Sequence, residues 1–225
     1  MSLRVYYDLM SQPCRALLIF LKKNNIPFES KVIALRKGQQ KLLKLFLCDK
    51  IKVLDKLESI KIVGSFSVAM VRYLAREFPI QDNWYPQDSK AQARVDEYLE
   101  WQHLNTRLFG SMVFRERVIT PLLQQKPVNE EKLQFYKKGF LNILKEIEEG
   151  FLKDRPYLCG DSISVADIFC ACEVEQPLMI GFDALANSPV VKAWLEKVRK
   201  ELEPHYSEVH GVTKKMRDAI QKGKL

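Results

Sequence analysis

The sequence predicts a molecule in two parts: a small α/β sandwich over residues 1–80 and an all-α domain over residues 91–225, joined by a turn-rich linker at 81–90. Three observations predict it. Short β-rich runs and short apolar-periodic runs alternate in the first 80 residues in the order β-α-β-α-β-β-α, which describes a mixed sheet covered by helices. Beyond the linker every patterned stretch repeats at helical spacing. A chain of 225 residues, 47% of them hydrophobic, has enough apolar material to bury a core in each part.

The first strand is Leu3 to Tyr7. Ser11 or Gln12 caps the next helix, with Pro13 in its first turn and an apolar-periodic body from Cys14 to Asn24. Pro27 and Phe28 lead into a second strand, Lys31 to Leu35. Lys37-Gly38 turns into a weak helix around Gln40 to Leu47. Val53-Leu54 with Leu57, and then Ile60 to Val63, form two further short strands. Ser67 caps the run Val68 to Phe78, which stops before Pro79. Ile80 to Ser89, with Asp82, Asn83 and Pro86, carries the turn signals of the linker.

The second part opens on a long helix, Ala91 to Val118, whose apolar residues spread over more than one face. Leu133, Tyr136, Phe140, Ile143, Leu144, Ile147 and Phe151 make one apolar stripe. Ser164-Val165-Ala166-Asp167 is a capping-box start, and Ile163 with Ile168 makes its hydrophobic staple. Ser188-Pro189 starts a further helix through Trp194 and Val198. The tail after Glu203 is basic and weakly patterned. No internal repeat is visible.

Several classes are excluded by composition. With 9 Gly and 10 Pro the chain is neither collagen-like nor of low complexity. Its longest purely apolar run, Ala16 to Leu21, is too short for a bilayer, so no membrane insertion is expected. Arg4 and Asp8 interrupt the first apolar stretch, which is unlike a signal peptide. The 5 cysteines are an odd number without a CxxC pair, and the 3 histidines are scattered. That pattern predicts neither a disulfide framework nor a metal site, and suits a cytoplasmic protein. The net charge of +8 is uneven: residues 1–80 hold 15 Lys+Arg against 6 Asp+Glu, the remainder 21 against 22. The first part therefore meets something anionic, or simply presents a solvated basic face. Between Lys37 and Lys61 the cations alternate with Leu and Ile instead of stacking aromatics, so no nucleic-acid partner is expected.

The run Tyr6-Tyr7-Asp8-Leu9-Met10-Ser11-Gln12-Pro13-Cys14-Arg15-Ala16-Leu17 resembles the N-terminal motif of theta-class glutathione transferases, the insect branch in particular. The resemblance continues through Lys37-Gly38-Gln39, Ser67-Val68-Ala69, Tyr73-Leu74, Trp84-Tyr85-Pro86, the stretch Arg94 to His103, and Ser164 to Ile168. It implies a thioredoxin-like N-terminal domain, an all-α C-terminal domain, a homodimer, and glutathione as cosubstrate without a metal. It places glutathione against Gln12, Gln40, Lys41, Leu54, Phe66 and Ser67. It also places a small hydrophobic electrophile between the domains, near Met10, Arg107, Met112 and Phe114.

The chemistry of the motif agrees with that role for Ser11. A free cysteine thiol titrates near about 8.5, so little glutathione is thiolate at neutral pH. A hydroxyl at the first turn of a helix donates to the sulfur, and the helix N-terminus favours the negative charge. The same field then acts on the anion that develops as the sulfur attacks an electrophilic carbon. The plainer alternative is that Ser11 only caps the helix. Cys14, one turn on, is either a second thiol of the site or a small buried hydrophobe. Arg107 matches an arginine that faces the active site in this class, or is an interface or surface residue.

The departures from the family fall on the glutathione site. The family has a cis proline before its third strand, where this chain has Asp55 in Lys52-Val53-Leu54-Asp55. A cis bond before a non-proline residue costs about 2.5–4 kcal/mol, against under about 1 before proline. The loop is therefore expected trans and displaced, with the backbone of Leu54 moved. A Glu-Ser pair is replaced by Phe66-Ser67. Ser67 still serves the γ-glutamyl carboxylate, but Phe66 cannot accept from the ammonium group, a loss of about 1–3 kcal/mol or tenfold to more than a hundredfold in affinity. Gln40 stands where many members have His and still donates to the glycyl carboxylate, with Lys41 beside it. The expected activity is detoxifying conjugation of glutathione to small apolar electrophiles, or peroxide reduction, with weakened glutathione affinity. The alternative is a non-catalytic ligand carrier or scaffold that keeps the fold, and a third reading is a basic interaction module on the Lys37–Lys61 face.

Overall fold

The structure, a computed structural model, describes residues 3–33 and 67–222. The chain divides into two compact units, Met1–Ile80 and Gln81–Leu225.

In the first unit, β1 (Leu3–Tyr7) and β2 (Phe28–Val32) pair in parallel, Leu3 opposite Phe28 and Tyr7 opposite Val32. Parallel neighbours need a crossover, and α1 (Gln12–Lys23) supplies it. Every residue of α1 from Gln12 to Leu21 is buried, so its apolar residues fill all faces and not one stripe. The helix ends through Asn25, which takes the left-handed conformation (φ 52°) while the Ile26 amide returns to the Leu21 carbonyl at 2.9 Å. Asn is the residue after Gly that tolerates this stop. β2 begins and ends three residues earlier than the composition suggests. Its length is set by β1, the last bond running from the Ile33 amide to the Tyr7 carbonyl at 2.9 Å. α2 (Ser67–Glu77) packs on α1 and buries Val68, Val71 and Leu74. The expected helix around Gln40 to Leu47 and the strands at Val53–Leu57 and Ile60–Val63 lie outside the described residues, as do Leu35, the Lys37–Lys61 face and the last three residues.

In the second unit the linker residues are part of the packing. A short 3-10 turn, Asp82–Trp84, buries Trp84 and Tyr85, and Asn83 donates to the Ile163 carbonyl at 2.8 Å. The helices are α3 (Ser89–Trp101), α4 (Thr106–Phe114), α5 (Thr120–Gln124), α6 (Glu130–Glu146), α7 (Val165–Leu178), α8 (Pro189–Leu202) and α9 (His205–Gln221). Wider π-type turns extend α4 over Arg115–Ile119 and α6 over Ile147–Leu152. At the centre stands α7, buried continuously from Val165 to Pro177, with α4 and α6 packed together beside it. Gly139 of α6 lets α4 approach: a Cβ there would stand 2.1 Å from the Phe109 ring.

The long helix expected over Ala91 to Val118 is broken. The Asn105 side chain donates to the Trp101 carbonyl at 2.8 Å, taking an acceptor at the end of α3, and Asn105 itself leaves helical geometry (φ −117°, ψ −100°). The tail after Glu203 is also more ordered than its weak pattern implies. It forms α9, whose Tyr206, Val209, His210, Thr213 and Met216 recur at helical spacing and are buried.

The capping box forms as the sequence predicts and reaches further. The Asp167 carboxylate accepts from the Ser164 amide (2.9 Å) and hydroxyl (3.1 Å), and also from the Leu158 amide (3.0 Å) and the Trp194 indole (2.9 Å). Ile163 and Ile168 are both buried beside it.

Candidate functional site

β1 delivers the chain into a tight turn, Asp8 to Ser11. The Ser11 amide bonds the Asp8 carbonyl at 2.9 Å, and the Met10 amide bonds Asp8 Oδ1 at 2.8 Å. Arg15 reaches back from the first turn of α1 and donates from Nη1 to the Leu9 carbonyl at 2.8 Å. Ser11 then occupies the N-cap of α1 in extended geometry (φ −87°, ψ 122°), its carbonyl accepting the Arg15 amide at 3.1 Å. Pro13 fits the first turn, where its missing N–H has no helical acceptor to lose.

The Ser11 side chain does not cap the helix. Its hydroxyl instead bonds the Cys14 thiol one turn on. Burial pushes that thiol up, the Ser11 bond and a backbone bond to Asp8 pulling the other way. Cys14 is 3% exposed and stays neutral, so it acts as a buried hydrophobe and not as a second reactive sulfur. Ser11 itself is half-exposed, and it stands at the positive end of a twelve-residue helix that has no acidic side chain in its first turn.

Two other sequence-predicted residues are buried with an unused polar atom. Gln12 Nε2 and Ser67 Oγ have no hydrogen-bond partner among the described residues, although Gln12 is 8% and Ser67 1% exposed. A buried polar group left unpaired costs about 1–3 kcal/mol, so each of these atoms is expected to find its partner beyond the described residues. A carboxamide N–H and a hydroxyl at the head of α2 suit the carboxylates and peptide carbonyls of a small acidic peptide. Met10 is half-exposed in the turn before Ser11. Gln40, Lys41, Leu54, Asp55 and Phe66 lie outside the described residues.

The remaining predicted residues belong to the second unit. Arg107, half-exposed, and Phe114, buried, are seven positions apart on α4 and share one face. Met112 is half-exposed and about 140° round the helix from Arg107 by regular α geometry. Sequence reasoning passed over Arg15. Its signal was there: a cation inside the otherwise apolar run that begins at Cys14. Among the described residues, no cluster of three or more His, Cys, Asp or Glu side chains is arranged to hold a metal ion, and no helix is long and apolar enough to cross a membrane.

Comparison with known proteins bears on both units. The family pattern of the glutathione S-transferase C-terminal domain matches residues 112–201. Glutathione S-transferase theta-3 of Mus musculus is 37% identical over 219 residues, covering 97% of this chain and 91% of its own. Glutathione S-transferase theta-1 of Bos taurus is 38% identical over 226 residues, with 97% and 92% covered. Among solved structures, a human theta-class enzyme in complex with the glutathione conjugate of 1-menaphthyl sulfate superposes with a TM-score of 0.87 at 32% identity, over 100% of this chain and 92% of that one.

The fold is therefore the glutathione transferase fold, a thioredoxin-like α/β domain followed by an all-α domain. The chain belongs to the theta class of the glutathione S-transferases.

Proposed function

We propose that the protein transfers the glutathione sulfur to small apolar electrophiles, with Ser11 as the catalytic residue that holds the thiolate. The observation that carries this reading is the Ser11 hydroxyl: it stands at the N-cap of α1 without capping it, where a donor and the helix field both favour an anion. Gln12 and Ser67, buried with polar atoms that have no partner among the described residues, support a glutathione seat on the same unit. Relatives add to this, since a human theta-2 structure contains glutathione and another theta-class structure contains a glutathione conjugate.

In this mechanism Ser11 Oγ donates its hydrogen to the sulfur, and the thiol proton leaves to solvent. The sulfur then forms a bond to the electrophilic carbon as the leaving group departs with its electron pair. Gln40 and Lys41 meet the glycyl carboxylate, Leu54 the cysteinyl backbone, and Ser67 the γ-glutamyl carboxylate. Asp55 and Phe66 weaken that seat. Met10, Arg107, Met112 and Phe114 border the electrophile, and peroxides are a second substrate class. The insect-type motif, the homodimer, the cytoplasmic location and a detoxifying role belong to the same reading.

The test pairs calorimetry with turnover. Glutathione is expected to bind weakly but measurably, and Ser11→Ala is expected to lower conjugation of arylmethyl halides at least tenfold while moving the melting temperature by no more than a degree or two. Equal loss of activity and stability would make Ser11 a cap only. No binding heat at millimolar glutathione would favour the ligand-carrier alternative.

A further inference from the structure

Arg15 is one of the largest fully buried side chains of the molecule, at 0% exposure. A guanidinium is almost never taken out of water without a purpose in charge or geometry. It also lies in the first turn of α1, where the helix field disfavours a cation. Its Nη1 is committed to the carbonyl of Leu9, the second residue of the turn that presents Ser11. The same turn is also held by Asp8, whose carboxylate takes the Met10 amide and whose carbonyl takes the Ser11 amide. An acid and a base therefore both hold the backbone of one four-residue turn, whose last residue is Ser11.

We infer that Arg15 is a positioning residue for sulfur transfer: through the Leu9 carbonyl it fixes the turn carrying Ser11, and its buried charge offsets Asp8 so that a sulfur anion is tolerated there. The inference rests on the assignment of Ser11 as the thiolate holder. A sulfur already sits one turn from Ser11, and it registers both charges. At the Cys14 thiol, Asp8 acts to raise the titration and Arg15 to lower it. A glutathione sulfur brought to the Ser11 hydroxyl meets the same opposed pair. Because the guanidinium is shielded from water, its field is screened far less than that of a surface lysine.

The two charges give the test opposite signs. Asp8→Asn keeps an Oδ1 acceptor for the Met10 amide and removes the negative charge. Arg15→Gln keeps an N–H donor for the Leu9 carbonyl and removes the positive charge. Arg15→Lys keeps the charge and loses the planar fork. The readout is the ultraviolet absorbance of the glutathione thiolate bound to each full-length variant, titrated with pH, beside kcat and KM for glutathione. Ser11→Ala is the control.

Arg15→Gln is expected to reduce bound thiolate at neutral pH about tenfold, and Asp8→Asn to increase it about threefold. Arg15→Lys should fall between wild type and Arg15→Gln, and glutathione KM should stay within threefold throughout. The acid limb of the kcat profile should move with the titration. If Arg15→Gln does not fold, the opposed shifts of Asp8→Asn and Arg15→Lys carry the comparison. Shifts of the same sign for the Asp8 and Arg15 variants, or shifts under twofold beside a large Ser11→Ala effect, would leave Arg15 a purely structural residue. Wild type with no more thiolate than free glutathione, or equal to Ser11→Ala, would instead overturn the Ser11 assignment itself.

Discussion

Replacing Asp167 tests the buried hydrogen-bond network of the second unit. The side chain is fully buried and its two oxygens divide four donors. Oδ1 accepts the Leu158 amide (3.0 Å) and the Trp194 indole (2.9 Å), and Oδ2 accepts the Ser164 amide (2.9 Å) and hydroxyl (3.1 Å). Asp167→Ala strands three N–H donors. Each stranded donor costs about 1–3 kcal/mol, but a local shift or a water relieves part of this, so a total of about 4 kcal/mol is expected. Asp167→Asn keeps an oxygen for Leu158 and Trp194 and turns an NH2 toward the Ser164 amide, so it should cost only about 1–2 kcal/mol. Urea unfolding of the full chain, followed by tryptophan emission, gives both values, with Trp194→Phe as the partner variant. Asp167→Ala combined with Trp194→Phe should be less damaging than the sum of the two by about 1 kcal/mol, because they share a bond. Equal losses for Asn and Ala, or an Ala loss below about 0.5 kcal/mol, would refute the claim that these hydrogen bonds tie the loop before α7 to α8.

Three further outcomes are expected. Asp55→Pro together with Phe66→Glu should tighten glutathione at least tenfold by calorimetry, because together they restore a proline and an ammonium acceptor; unchanged affinity would show that these positions do not border the tripeptide. Stability should fall as pH rises above 9. Burial is the largest cause raising Cys14, Cys170, Tyr98 and Tyr206, and it pushes Cys159 up to about 12. The unfolded chain then loses these protons first, and each thiol removes about 1 kcal/mol per pH unit until its native value is reached. A melting temperature flat from pH 8 to 11 would contradict this. Gly139→Ala should destabilise the second unit by about 1–3 kcal/mol in a melting experiment, since the Phe109 ring occupies the place of the new methyl group; a neutral result would show that the ring swings aside freely.

Much of this architecture was legible because it is written locally. Ser11-Gln12-Pro13 marks the start of α1, Asp167 three residues after Ser164 marks the start of α7, and Pro79 marks the end of α2. What escaped depends on contacts distant in sequence. The break between α3 and α4 follows from one side-chain amide, Asn105, competing for the Trp101 carbonyl, and periodicity ran straight through it. α9 reads as a basic tail because Lys214, Lys215 and Arg217 interrupt a narrow buried stripe of Tyr206, Val209, His210, Thr213 and Met216 that includes only three strongly apolar side chains. Trp194 is 27 residues from Asp167, so the sequence offered the capping box and not the indole that completes it. At the site, Ser11, Gln12 and Ser67 were recognisable from their motif, whereas Arg15 acquires meaning only once its guanidinium is found under the turn.

The most direct measurement is a crystal structure of the protein grown with saturating glutathione. The account expects the sulfur within hydrogen-bonding reach of Ser11 Oγ and the γ-glutamyl carboxylate at Ser67, with Gln12 Nε2 engaged. A tripeptide whose sulfur points away from Ser11, or a site left vacant at concentrations that fill it in theta-class relatives, would contradict it.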